Sequence, residues 1–140
     1  MTSSPLLRQV DAVTIPVPDL DLGLRFYRDQ LGHRLLWRNN AIGQAGLSLA
    51  DAETEIVLST SVGYAPNWLV TSVVEAATRI VDAGGRIKVE PTAIPVGQLA
   101  VVVDPFGNEL VLLDLSSGCY ATDRAGDVTS VTPSALTAGA

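Results

Sequence analysis

One histidine, one cysteine and fifteen acidic side chains carry most of the chemistry this 140-residue chain could perform. His33 follows a Leu31-Gly32 pair, and no carboxylate stands at a helical or strand spacing that would join it in holding a metal ion. Cys119 lies in Ser-Ser-Gly-Cys-Tyr, where no basic neighbour would lower its pKa and make it a nucleophile. No Gly-x-Ser-x-Gly elbow and no glycine-rich phosphate loop occurs. What remains is a few polar residues on apolar strands, Thr14, Asn67 and Glu109. Glu109 is the one suited to proton transfer, because a single positioned carboxylate suffices as a general base in some reactions. Each also has a plainer reading. Threonine and asparagine on a strand often bond neighbouring backbone, and Glu109 would sit well at a strand's wet end.

The elements that would position these residues follow from periodicity. Residues 10–17 are β-branched and read as a strand, with Pro16 making it short or close to an edge. Asp19 then caps a helix whose apolar face is Leu20, Leu24, Tyr27 and Leu31, and Gly32 stops it. Extended segments are expected at 33–38, about 43–50 and 54–60. The pattern then restarts. Residues 66–71 read as a strand, and Ser72-Val73-Val74-Glu75 has the spacing of a capping box. Val73, Ala77 and Ile80 form the apolar face of a second helix, Gly84-Gly85 end it, and strands follow at about 86–90, 97–103 and 109–115. The halves superpose at an offset of 53 residues, which sets Val17 on Val70, Asp19 on Ser72 and Gly32 on Gly85.

Composition narrows the partners. Net charge is −6 and no basic cluster occurs, so nucleic acid and acidic membrane surfaces are poor partners. Mean hydropathy is high at +0.31, yet no apolar run reaches the length of a membrane span. The N-terminal residues do not read as a signal peptide, and one cysteine suits a reducing compartment, so a cytoplasmic location is expected. Lys88 is the only lysine among nine basic residues, a bias that suggests a bacterial source. Residues 116–140 are rich in Ser, Thr, Ala and Gly without periodicity. Alone such a tail would be disordered, so it would need the body or a second subunit to pack on.

Val17-Pro18-Asp19-Leu20, Phe26-Tyr27-Arg28-Asp29-Gln30-Leu31-Gly32 and Asp104-Pro105-Phe106-Gly107-Asn108 resemble the vicinal oxygen chelate superfamily. That superfamily holds glyoxalase I, extradiol dioxygenases and the fosfomycin- and bleomycin-resistance proteins. The resemblance covers about residues 8–115. It implies an α+β domain over residues 1–115, built from two tandem βαβββ modules (about 8–62 and 63–115) whose curved mixed sheets form a cavity, and a homodimer.

In metal-dependent members a histidine stands seven residues before the Asp of Val-x-Asp-Leu, and a carboxylate stands seven after that of Asp-Pro-x-Gly-Asn. Here these positions are Ala12 and Val111; the repeat offset adds Ala65 and a residue near Leu58. None has a lone pair for a cation, so no metal cofactor is expected. Alternation along the strands then lines the cavity. Val10, Thr14 and Pro16 face inward with Ala12, Asn67 and Leu69 with Ala65, and Glu109 and Leu113 with Val111. Ile15, Val17, Trp68 and Val70 take the helix side. Trp37, Tyr64, Phe106 and Tyr120 are aromatics that could meet a ligand.

Three functions fit. One is metal-independent binding of a hydrophobic, aromatic small molecule, as in antibiotic sequestration, through Ala12, Thr14, Trp37, Tyr64, Ala65, Asn67, Glu109 and Val111. Another is a metal-free cyclase, isomerase or lyase with Glu109 as base. The third is an interaction module with a filled cavity.

Overall fold

A computed structural model describes residues 5–122, 124 and 126–132. The chain opens with β1 (Gln9–Pro16) and α1 (Leu20–Leu24), which runs on as a π-helical segment (Arg25–Gln30). Three strands complete the first module: β2 (Leu35–Asn39), β3 (Gln44–Leu47) and β4 (Glu55–Ser59). The second module repeats the series with β5 (Ala65–Leu69), α2 (Val73–Asp82), β6 (Arg86–Ile94), β7 (Gly97–Val103) and β8 (Glu109–Asp114). The architecture is α+β with paired βαβββ modules. The chain divides into two compact units, one holding residues 11–66 with part of the C-terminal segment, the other residues 67–119 with the N-terminal segment.

In the first unit the strands lie in the order β2-β3-β4-β1, with β1 parallel to β4 and the other neighbours antiparallel. The second unit has the order β5-β8-β7-β6, with β5 parallel to β8 and the rest antiparallel. The registers also repeat: Thr14 pairs with Val57, and Asn67 with Val111. Thr14 and Asn67 are 53 residues apart, the offset that the sequence shows.

Local signals build each half. The Asp19 carboxylate accepts the Leu22 N–H at 3.0 Å, satisfying an amide that the first helical turn leaves orphaned. Leu20 and Leu24 pack against Ala45, Leu47, Ile56 and Leu58, with Ile15, Val17 and Tyr27 at the margin. Gly23 allows this approach, since a Cβ there would lie 3.0 Å from both Leu58 and Val17. Leu31 departs from expectation and is 52% exposed. Beyond Leu24 the helix widens, the Leu31 N–H bonding the Phe26 carbonyl five residues back. The extra residue per turn rotates Leu31 off the face that α-helical periodicity assigns it.

In the second half Ser72 Oγ accepts the Glu75 N–H at 3.3 Å. Val73, Ala76 and Ala77 are buried against Ala100, Val102 and Leu112, and Trp68 packs on this helix side as expected.

Part of the C-terminal segment forms a two-stranded sheet of β9 (Cys119–Thr122) and β10 (Val128–Thr132). It is held at β2, where the Arg38 N–H donates to the Gly126 carbonyl at 2.6 Å and the backbone at Arg38 forms an isolated parallel β-bridge with that at Asp127. The side chains of Cys119 and Tyr120, and residues 123, 125 and 133–140, lie outside the described residues. Among those described, no helix is long and apolar enough to cross a membrane.

Candidate functional site

Helix packing fixes which face each strand residue takes. In the first unit Ile15, Leu35, Ala45, Leu47, Ile56 and Leu58 pack on the helix side. The pleat therefore turns their neighbours the other way. Paired residues across the strands make one row on that face: Trp37 opposite Gly46, Gly46 opposite Val57, and Val57 opposite Thr14. Trp37 has the parity of Leu35 and joins the row because the β2–β3 register shifts between the two. One residue pair along, Ala12 lies beside Glu55. The expected inward set of Ala12 and Thr14 does share a face. The first-half counterpart of Val111 shifts by one residue, because register places Val57 there while Leu58 is wholly buried on the helix side.

Trp37 reaches across Gly46. Its indole Nε1 donates to Glu55 Oε1 at 2.7 Å. Only glycine leaves the passage open, since a Cβ at residue 46 would collide with the indole nitrogen and lie 2.7 Å from Glu55 Oε1. Burial raises the Glu55 pKa above its ordinary value; the Trp37 hydrogen bond pulls it down and the charge of Asp11 pushes it up again. Burial raises Asp11 likewise. Ala12 and Thr14 are each 2% exposed and Val57 6%, so this carboxylate stands among residues that water scarcely reaches.

The second unit has the same row with other contents. Asn67 lies opposite Val111, Val111 opposite Val101, and Val101 opposite Val89. Glu109, two residues before Val111, corresponds to Glu55, two before Val57. Their surroundings differ. Glu109 is half-exposed at the start of β8 and takes an ion pair from Lys88 Nζ at 2.6 Å. Tyr64 is exposed, and Ala65 opens β5. Phe106 is exposed in its turn, which the Asp104 carboxylate stabilises by accepting the Phe106 and Asn108 amides. The His33 imidazole Nδ1 lies 2.8 Å from the Ser48 carbonyl, a structural bond.

Sequence reasoning singled out Glu109 and passed over Glu55. The repeat held the signal, because the register offset that carries Val57 to Val111 also carries Glu55 to Glu109.

Ala12, Ala65, Val57 and Val111 offer no donor atom to a cation, so these residues do not fit the metal that the vicinal oxygen chelate fold often carries. Among the described residues no three His, Cys, Asp or Glu side chains gather as a metal site.

The model of the glyoxalase/bleomycin resistance protein/dioxygenase superfamily matches residues 9–112, the span of both modules. The chain belongs to that superfamily. Solved structures similar to it include methylmalonyl-CoA epimerase from Mycobacterium tuberculosis, at 22% identity and a TM-score of 0.63 over 81% of this chain and 92% of that one. A hypothetical protein from Bacillus halodurans aligns at 21% identity and a TM-score of 0.62, covering 76% and 93%. The Streptomyces coelicolor methylmalonyl-CoA epimerase, in complex with 2-nitronate-propionyl-CoA, aligns at 22% and 0.61, covering 77% and 97%. At such identities the likeness shows the shared superfamily fold. No curated protein matches the sequence.

Proposed function

We propose that this superfamily member binds a flat, largely apolar small molecule without a metal ion, in the manner of a sequestering protein. The observation that carries the reading is the row Trp37–Gly46–Val57–Thr14, with Ala12 beside it. Aliphatic side chains occupy the ligand positions of the metal-dependent relatives. An aromatic ring and one desolvated carboxylate share the same face. The ligand's own apolar surface then supplies affinity, at about 25 cal/mol per Å2 removed from water, and the polar groups fix orientation.

The epimerases of similar fold are named for an acyl-CoA substrate. Acyl-CoA carries phosphate charge, which a chain of net charge −6 disfavours. The half-exposed Lys88–Glu109 pair gives a base role for Glu109 no special support.

The test is calorimetric titration with polycyclic aromatic and quinone-like compounds, with methylmalonyl-CoA as comparison. Saturable binding at about micromolar affinity is expected, weakened at least about tenfold by Ala12→Trp. Absence of binding to any aromatic compound, or turnover of the acyl-CoA, would overturn the reading.

A further inference from the structure

The described ion pairs are Arg28 with Asp29, Arg38 with Asp21, and Lys88 with Glu109, and all six side chains are at least partly exposed. Glu55 has none. One of its oxygens takes the Trp37 indole hydrogen, and no arginine or lysine among the described residues reaches the other. Its partner by register, Glu109, sits half in water and yet has a cation. The more desolvated of two equivalent carboxylates is thus the one left uncompensated, the reverse of what folding stability alone would select.

The surroundings of Glu55 are also spare. Its cross-strand partner on the shared face is Ala12, and Gly46, opposite Val57 on the next strand, has no side chain to crowd its Oε1. The Trp37 indole edge holds one oxygen of this carboxylate, and an indole beside a carboxylate is a combination that suits organic ammonium groups. Asp11, at the adjoining position of β1, adds a second negative charge close enough to raise the Glu55 pKa. A cation arriving from outside would relieve both.

We infer that Glu55, braced by Trp37, anchors a protonated nitrogen, so that the ligand is an aromatic or polycyclic amine, its apolar body on the aliphatic row and its ammonium on the second Glu55 oxygen. This rests on the binding reading above and names the ligand class for the same face. No covalent step is involved. The ammonium donates to the carboxylate, and Asp11 contributes field without direct contact.

The experiment compares matched probes: 2-naphthylmethylammonium, 2-naphthylmethanol and 2-naphthoate, titrated into wild type and Glu55→Gln. Wild type should bind the ammonium at least about tenfold tighter than the alcohol, and 2-naphthoate least. Glu55→Gln should bind ammonium and alcohol alike, the alcohol at its wild-type affinity. In wild type the ammonium preference should shrink in mild acid, as Glu55 and Asp11 take up protons, and with rising salt, while alcohol binding holds steady. The salt and acid arms need only wild type, so they decide the matter even if Glu55→Gln fails to fold.

Equal affinity for ammonium and alcohol in wild type would overturn the inference and leave the binding reading standing. So would an ammonium preference that survives Glu55→Gln, or tightest binding of 2-naphthoate. No binding of any probe or of the wider aromatic panel would overturn both.

Discussion

Asp114, the last residue of β8, reaches the start of α2: its Oδ2 accepts the Val73 N–H at 2.9 Å. Its Oδ1 accepts the Gln98 N–H at 2.9 Å and the Ser116 hydroxyl at 2.7 Å. One buried carboxylate, 3% exposed, therefore ties the end of one strand, the start of another and a helix N-terminus. The helix dipole favours negative charge there. Asp114→Ala should destabilise the protein by about 3 kcal/mol, because it strands buried amides without partners. Asp114→Asn should recover only part of that, its amide nitrogen facing a donor. Chemical denaturation of both variants checks this, and a loss under about 1 kcal/mol for Asp114→Ala would refute it.

Gly46→Ala should cost about 2 kcal/mol through overpacking, since the new methyl displaces the Trp37 indole. The Trp37–Glu55 hydrogen bond should break with it. Tryptophan fluorescence and the melting temperature read the two effects together.

Glu55 and Asp11 also give stability a pH dependence. Burial raises both pKa values, so the folded protein holds these protons more tightly than the unfolded chain. Stability from them is therefore complete below the unfolded values and declines as pH rises through the raised folded ones. Glu55→Gln should remove the Glu55 share of this decline, leaving the variant more stable than wild type near neutrality and equal to it in acid. Melting curves across that range decide it; a variant less stable at neutral pH would count against a costly buried charge.

Glu109→Gln should shift stability by less than about 1 kcal/mol, since its partner Lys88 and it are both about half exposed. Ligand binding should scarcely change. A large loss of binding or of any turnover in this variant would restore Glu109 to the site.

A homodimer is expected from the family resemblance, and the apolar residues left exposed, among them Leu22 at 50% and Phe26 at 48%, agree with an occluded surface. Sedimentation at tens of micromolar should give about twice the 14.7 kDa chain mass. A monomer would set this aside.

Much of the fold is written locally. Asp19 and Ser72 cap their helices and Gly32 and Gly84 end the helical segments at positive φ, because such features depend on residues a few places apart. Alternation set Trp68 on the helix side and Ala12 with Thr14 on the other, since a strand's two faces follow from parity alone. The loss of metal donors at Ala12, Ala65 and Val111 is likewise legible without coordinates.

Tertiary structure decided the rest. Leu31 fell off its predicted face because a π-helical turn altered the period, which no neighbouring residue announces. Glu55 and Glu109 are chemically identical and occupy equivalent register positions. Only the fold makes one a desolvated carboxylate bonded to an indole and the other a half-exposed partner of Lys88. The difference arises from residues on other strands, Trp37 crossing Gly46 in one unit and Val101 beside Val111 in the other. Desolvation sums over everything packed nearby, and sequence order does not record who those neighbours are.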